Sequence, residues 1–215
     1  EHPVAGRITS PLMVKLAEEE SFLDELGLYI IEEACRDAQK FQKEGKPLSI
    51  SVNISPKQLE SAVFVREVRR ILQEVDLHDI QLILEVTERS LLSTSHRILE
   101  RIRELKQMGI QMSMDDFGMG HSSMMYLQEN AFDEVKLDGS LVRQIMENER
   151  SQDIVRGITR LAASMQFHVV AEFVETREQM ELLKALHCDI YQGYYYGKPC
   201  SCDEFIAIYL KQEVS

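Results

Sequence analysis

Short apolar runs alternate with longer amphipathic stretches along most of the chain. The apolar runs predict strands at Leu48–Ile54, Gln81–Thr87, Ile110–Asp115, Glu134–Leu137, His168–Ala171 and Asp189–Gln192. The stretches between them predict helices at Pro56–Val75, Ser95–Met108, Ser122–Gln128, Ser140–Met146 with Ser151–Gln166, and Arg177–Leu186, with another at Cys202–Leu210. Upstream, Ser10-Pro11 reads as an N-cap and first-turn pair for a helix reaching Glu20. Phe22, Leu26, Ile30, Ala34 and Ala38 recur near every fourth position, which predicts a long helix over Ser21–Glu44, ended by Gly45-Lys46-Pro47.

Strands that alternate with helices imply a parallel sheet of the α/β class. The regular spacing, with no dinucleotide glycine fingerprint, favours a TIM-type (β/α) barrel over a doubly wound sheet. Six strands are countable, whereas such a barrel closes with eight. The expectation is that the first two strands lie upstream of Glu1, so that the chain is a partial domain. An open sheet is the alternative, and it would leave two bare edges. No linker or low-complexity segment divides the sequence, so residues 1–215 read as one domain.

Composition narrows the picture further. The apolar fraction of 44% and the charged fraction of 28% are ordinary for a globular protein. No apolar run approaches the roughly 18–20 residues of a membrane span, and the polar start Glu1-His2-Pro3 resembles no signal peptide. The expectation is a cytoplasmic protein, or the cytoplasmic part of a membrane-anchored one. The net charge of −12 disfavours binding to a DNA or RNA polymer. It leaves room for a small anionic substrate, because bound cations invert the charge of an acidic site. Cys35, Cys188, Cys200 and Cys202 complete no zinc pattern and read as free thiols.

The active site of a βα barrel lies where strands end. Here the predicted strand ends carry Asn53, Glu85 to Glu88, Asp115-Asp116, Lys136 to Asp138, Glu172 to Glu175, and Gln192. One such residue would be an ordinary cap or turn; six ends together converge on one mouth. Asn53, Glu85, Asp115 and Asp116 are all oxygen donors, which suits Mg²⁺ or Mn²⁺ rather than zinc. Adjacent residues normally point to opposite sides of a strand, but where a strand bends into a loop both carboxylates can reach the mouth. Two ions there would clamp a phosphodiester and favour in-line displacement. Lys136 adds a fixed positive charge, and Glu172 is placed to take a proton from water. Gly118 and Gly120 suit a loop that reorganises on binding. His121 in that loop reads as exposed.

Several stretches together resemble the EAL-domain family of bacterial cyclic di-GMP phosphodiesterases. They are Ser51 to Leu59 (SVNISPKQL), Glu85 to Glu88 (EVTE), Asp115 to Ser123 (DDFGMGHSS), Lys136-Leu137-Asp138, Val170 to Thr176 (VAEFVET), and Gln192-Gly193-Tyr194. They follow the family's order and spacing over nearly the whole chain. The resemblance implies hydrolysis of cyclic di-GMP to linear pGpG with two Mg²⁺ or Mn²⁺ ions. It implies that Asn53, Glu85, Asp115, Asp116 and Glu172 ligate metal, with Glu172 also able to act as base beside Lys136. Asp138, Glu175 and Gln192 would support metal, water or substrate, and Glu88 would steady the glycine loop. The family's habits imply a homodimer fused to sensory or GGDEF domains.

There are three departures. The Glu-Ala-Leu motif is absent; its expected place is just upstream of His2-Pro3, together with a further ligand and a phosphate-binding Arg. Phe173 stands where the family usually has Gly, and its ring would shift the base, narrow the pocket, or point away. His121 and Gly139 stand where Tyr and Arg are usual, and these are expected to be milder changes. With a ligand and two strands missing, Glu1–Ser215 alone is expected to show weak or absent hydrolysis. A non-catalytic cyclic di-GMP receptor and a barrel enzyme with another substrate remain as alternatives.

Overall fold

A computed structural model describes residues 8–42, 47–75, 77–78, 80–91, 97–118 and 124–210. Among them, six strands form one all-parallel sheet in sequential order. They are β1 (Leu48–Asn53), β2 (Ile80–Thr87), β3 (Gln111–Phe117), β4 (Glu134–Leu137), β5 (His168–Ala171) and β6 (Ile190–Tyr191). The helices are α1 (Ser10–Glu19), α2 (Leu23–Gln42), α3 (Pro56–Glu60), α4 (Ala62–Glu74), α5 (Glu88–Leu91), α6 (Arg97–Gln107), α7 (Met124–Gln128), α8 (Gly139–Arg143), α9 (Glu149–Met165), α10 (Arg177–Ala185) and α11 (Cys202–Phe205). This is the α/β, TIM-like architecture the alternation predicts, as a curled half-barrel with β1 and β6 at its edges.

Strand parity sorts the side chains onto two faces. One set is apolar and buried beneath the helices: Leu82, Leu84 and Val86 of β2, Met112 and Met114 of β3, Val135 and Leu137 of β4. The other set faces the concave side. Ser51, Glu85, Glu134, Lys136 and Val170 border a cavity there of about 360 Å³. The helices cover the outer face through apolar stripes, such as Phe64, Val65, Val68 and Ile71 of α4.

Local signals explain most element ends. Ser55 and Gln58 form a capping box on α3, and Thr176 and Gln179 form another on α10. The predicted helix Pro56–Val75 is broken at Ser61, whose extended backbone (ψ 110°) lets its hydroxyl cap α4 by accepting from Phe64 N. Thr9, not Ser10, precedes α1. The last predicted helix is α11 followed by a π-helical turn, Ile206–Leu210. Gly45, Lys46, Ser95, Gly120, His121 and Ser122-Ser123 lie outside the described residues. Among the described residues, no helix is long and apolar enough to cross a membrane.

Candidate active site

At the C-terminal ends of the strands, a buried lysine is held between two glutamates. Lys136 on β4 is 4% exposed. Its Nζ lies 2.9 Å from Glu85 Oε2 and 2.7 Å from Glu172 Oε1. Glu85 is inside β2, and Glu172 is the first residue past β5. Burial by itself would lower the Lys136 pKa, but Glu85 and Glu172 outweigh it and hold the ammonium above its usual value. The lysine therefore stays charged. Burial pushes the Glu172 carboxyl up. Lys136 pulls it back, while Asp115 and Glu85 push it further up. Two acids around one cation leave the trio with excess negative charge.

The two aspartates reach this centre through a β-bulge. Met114 pairs with Val135 and Phe117 with Leu137, so Asp115 and Asp116 together oppose the single residue Lys136. Asp116 takes a left-handed backbone (φ 57°), and its N–H donates to Asp115 Oδ1 at 2.8 Å. A bulge defeats the alternation that would send neighbouring side chains to opposite faces. The strand runs on to Phe117, two residues beyond the predicted end. Partial burial raises the Asp116 pKa, the Asp115 and Asp138 charges add to the rise, and Lys136 opposes it.

The other sequence-selected residues surround this centre. Asn53, the last residue of β1, sits in register with Glu85. Asp138 is the N-cap of α8: its Oδ1 accepts from Ser140 N at 2.7 Å and from the Ser140 hydroxyl. Part of its hydrogen-bonding capacity thus goes to the helix. Glu88, 2% exposed, opens α5, and its Oε2 accepts from Gly118 N at 3.3 Å. Glu172, Glu175 and Gln192 border a second pocket of about 310 Å³.

Asn53, Glu85, Asp115, Asp116 and Glu172 can offer oxygen donors to a metal. Their hardness matches Mg²⁺ or Mn²⁺. Asp116 stands within electrostatic reach of the Asp115 and Asp138 carboxylates, with Lys136 the cation that opposes them. The donor chemistry therefore fits a divalent cation. Among the described residues, no three His, Cys, Asp or Glu side chains already converge as a metal cage.

Comparison with known proteins places the chain in a family. The model of the EAL domain matches residues 1–199. This chain belongs to the EAL domain family. It is 39% identical, over 94% of its length, to an uncharacterized signaling protein of Caulobacter vibrioides. It is 33% identical, over 97%, to the cyclic di-GMP phosphodiesterase NbdA of Pseudomonas aeruginosa. It spans 25% and 27% of those two relatives. Among solved structures, the PaMucR phosphodiesterase in its c-di-GMP complex superposes with a TM-score of 0.84 at 33% identity, covering 95% of this chain and 83% of that one.

Phe173 does not turn into the core. Its backbone is left-handed (φ 55°), the residue is 43% exposed, and it borders the 310 Å³ pocket beside Glu172. The Arg143 guanidinium carbon stands 4.3 Å from the ring centroid. Arg143 and Glu134 are the residues that sequence reasoning passed over. Arg143 follows Gly139 by one helical turn, and Glu134 precedes Lys136 by two strand positions. Those spacings were the available signals.

Proposed function

We propose that this EAL domain hydrolyses cyclic di-GMP to linear pGpG. The observation that carries the reading is the buried Lys136 ammonium, held by Glu85 and Glu172 opposite the Asp115-Asp116 bulge. The cyclic di-GMP phosphodiesterase named among its relatives supports the substrate.

In the proposed reaction a water oxygen attacks one phosphorus. The P–O3′ bond breaks, and the 3′-oxygen leaves and takes up a proton. The result is one linear dinucleotide with a 5′-phosphate. Glu172 accepts the proton from the attacking water; its raised pKa makes it a stronger base than an ordinary carboxylate. Lys136 orients that water and Glu172, and its charge offsets the growing negative charge on the phosphate. Asn53, Glu85, Asp115, Asp116 and Glu172 would hold two Mg²⁺ or Mn²⁺ ions, which supply Lewis acidity and charge neutralisation when bound. Asp138, Glu175 and Gln192 support substrate and water. Glu88 anchors the start of the glycine loop through Gly118 N.

We read residues 1–215 as one domain of a larger cytoplasmic signalling protein, dimeric and joined to sensory or GGDEF domains. The greater length of its relatives supports the fusion. The test incubates the intact protein with cyclic di-GMP and Mn²⁺ or Mg²⁺ and separates the nucleotides. Linear pGpG is expected, with none from Asp115→Asn. Binding without product would favour the receptor reading and overturn the enzymatic one.

A further inference from the structure

We propose that Phe173 is a substrate-binding residue, whose ring stacks on one purine base of cyclic di-GMP. This rests on the phosphodiesterase reading above.

Three independent features of the ring point the same way. First, its backbone. A bulky side chain at φ 55° is a conformation that such residues rarely adopt. It persists where the surroundings over-determine it, and such positions cluster at functional sites.

Second, its support. A β-carbon at residue 139 would stand 2.4 Å from Phe173 Cδ2 and 2.5 Å from Cε2, so only glycine leaves the ring its place. Arg143, one turn along α8, lays its guanidinium 4.3 Å from the ring centroid. Residues four apart share a helix face, so α8 backs the ring from a single side.

Third, its outlook. Despite that backing the residue stays 43% exposed. An aromatic that served as core filler would be buried, and one lying idle on the surface would need neither a left-handed backbone nor a glycine opposite. The exposed part borders the pocket of about 310 Å³ that Glu172, Glu175 and Tyr194 also line. Glu172 is the adjacent residue and contacts Lys136. A phosphodiester reacting at that pair carries a purine on either side, and any base offers a π-face to an aromatic ring.

The test measures steady-state kinetics of the intact protein on cyclic di-GMP with Mn²⁺. Phe173→Leu keeps apolar bulk but removes the π-face, and KM is expected to rise about tenfold with kcat within about twofold. Phe173→Tyr keeps the ring and restores KM. Gly139→Ala leaves Phe173 in the chain but displaces its ring, and raises KM in the same way. A wild-type KM in Phe173→Leu, or a loss confined to kcat, would overturn the stacking role while leaving the phosphodiesterase reading intact. Absence of linear product from the unmodified protein would overturn that reading and this proposal with it.

Discussion

Gly139 and Phe173 fill one volume between them: the ring of one lies where a β-carbon of the other would be, 2.4 Å from Phe173 Cδ2. The resemblance to the family implies the reverse distribution of bulk, with Arg expected at the first position and Gly at the second. Two departures that look independent in sequence are therefore one exchange of volume across α8 and the β5 end. Gly139→Arg should destabilise by about 1–3 kcal/mol through overpacking. In a Phe173→Gly background, where the space is free and the left-handed backbone unstrained, most of that loss should vanish. The coupling expected from urea unfolding is about 0.5–3 kcal/mol. Strictly additive changes would show that the two positions do not share the space.

Lys136 is the only cation within hydrogen-bonding distance of both Glu85 and Glu172 among the described residues. Lys136→Met would leave two buried carboxylates unpaired. Removing one partner of a buried ion pair typically costs about 3–5 kcal/mol. Turnover should fall by about 10²–10³ as well, the usual scale for losing a group that stabilises charge developing in the transition state. The stability loss has a definite pH dependence. Unpaired buried acids take up protons more readily, so the deficit should be largest near neutral pH and shrink as the solution is acidified. Equal losses at neutral and acid pH would contradict the charged trio.

The acidic mouth predicts its response to cations. Partial burial raises the pKa of Asp116, and the Asp115 and Asp138 charges add to the rise, so the fold holds its carboxylate less favourably than water does. A divalent ion that relieves this repulsion should stabilise the protein, by about 2.7 kcal/mol at a hundred times its dissociation constant. Thermal unfolding with added Mn²⁺ should show the rise, EDTA should reverse it and stop turnover, and Asp116→Asn should blunt it. An identical Mn²⁺ response in Asp116→Asn would remove Asp116 from the ligand set.

The strands were legible because buried apolar runs and polar strand ends are short-range signals. Leu82, Leu84 and Val86 announce β2, and Glu85 between them already shares the inward parity of Ile83. The polar set was legible for the same reason: Glu85 and Lys136 are charges inside apolar runs. What sequence could not supply was register. Nothing in Asp115-Asp116 alone says that both oppose Lys136; that follows from the bulge against β4. Helix ends depended on single side chains, and Ser61 broke a continuous amphipathic pattern because it caps α4. The pairing of Phe173 with Gly139 joins positions more than thirty residues apart, beyond any local pattern.

Glu134 carries the last prediction. It lies on β4 two residues before Lys136, on the same concave face, and is 6% exposed. Burial raises its pKa above the ordinary 4.5; Ser113 opposes the rise, Glu85 adds to it, and Lys136 and His168 oppose it further. A raised pKa in the fold means that the folded protein holds a proton the unfolded chain has already lost. Ionised Glu134 therefore destabilises the fold above the ordinary carboxyl range, and the effect fades as pH falls through the folded pKa. Glu134→Gln puts a neutral group of nearly the same shape in that place. It should raise the unfolding temperature at pH 7–8 by on the order of a few degrees. At pH about 4, where the native carboxyl is itself protonated, the gain should disappear. A gain that is the same at both pH values would mean that the substitution acts through packing and not through the buried charge.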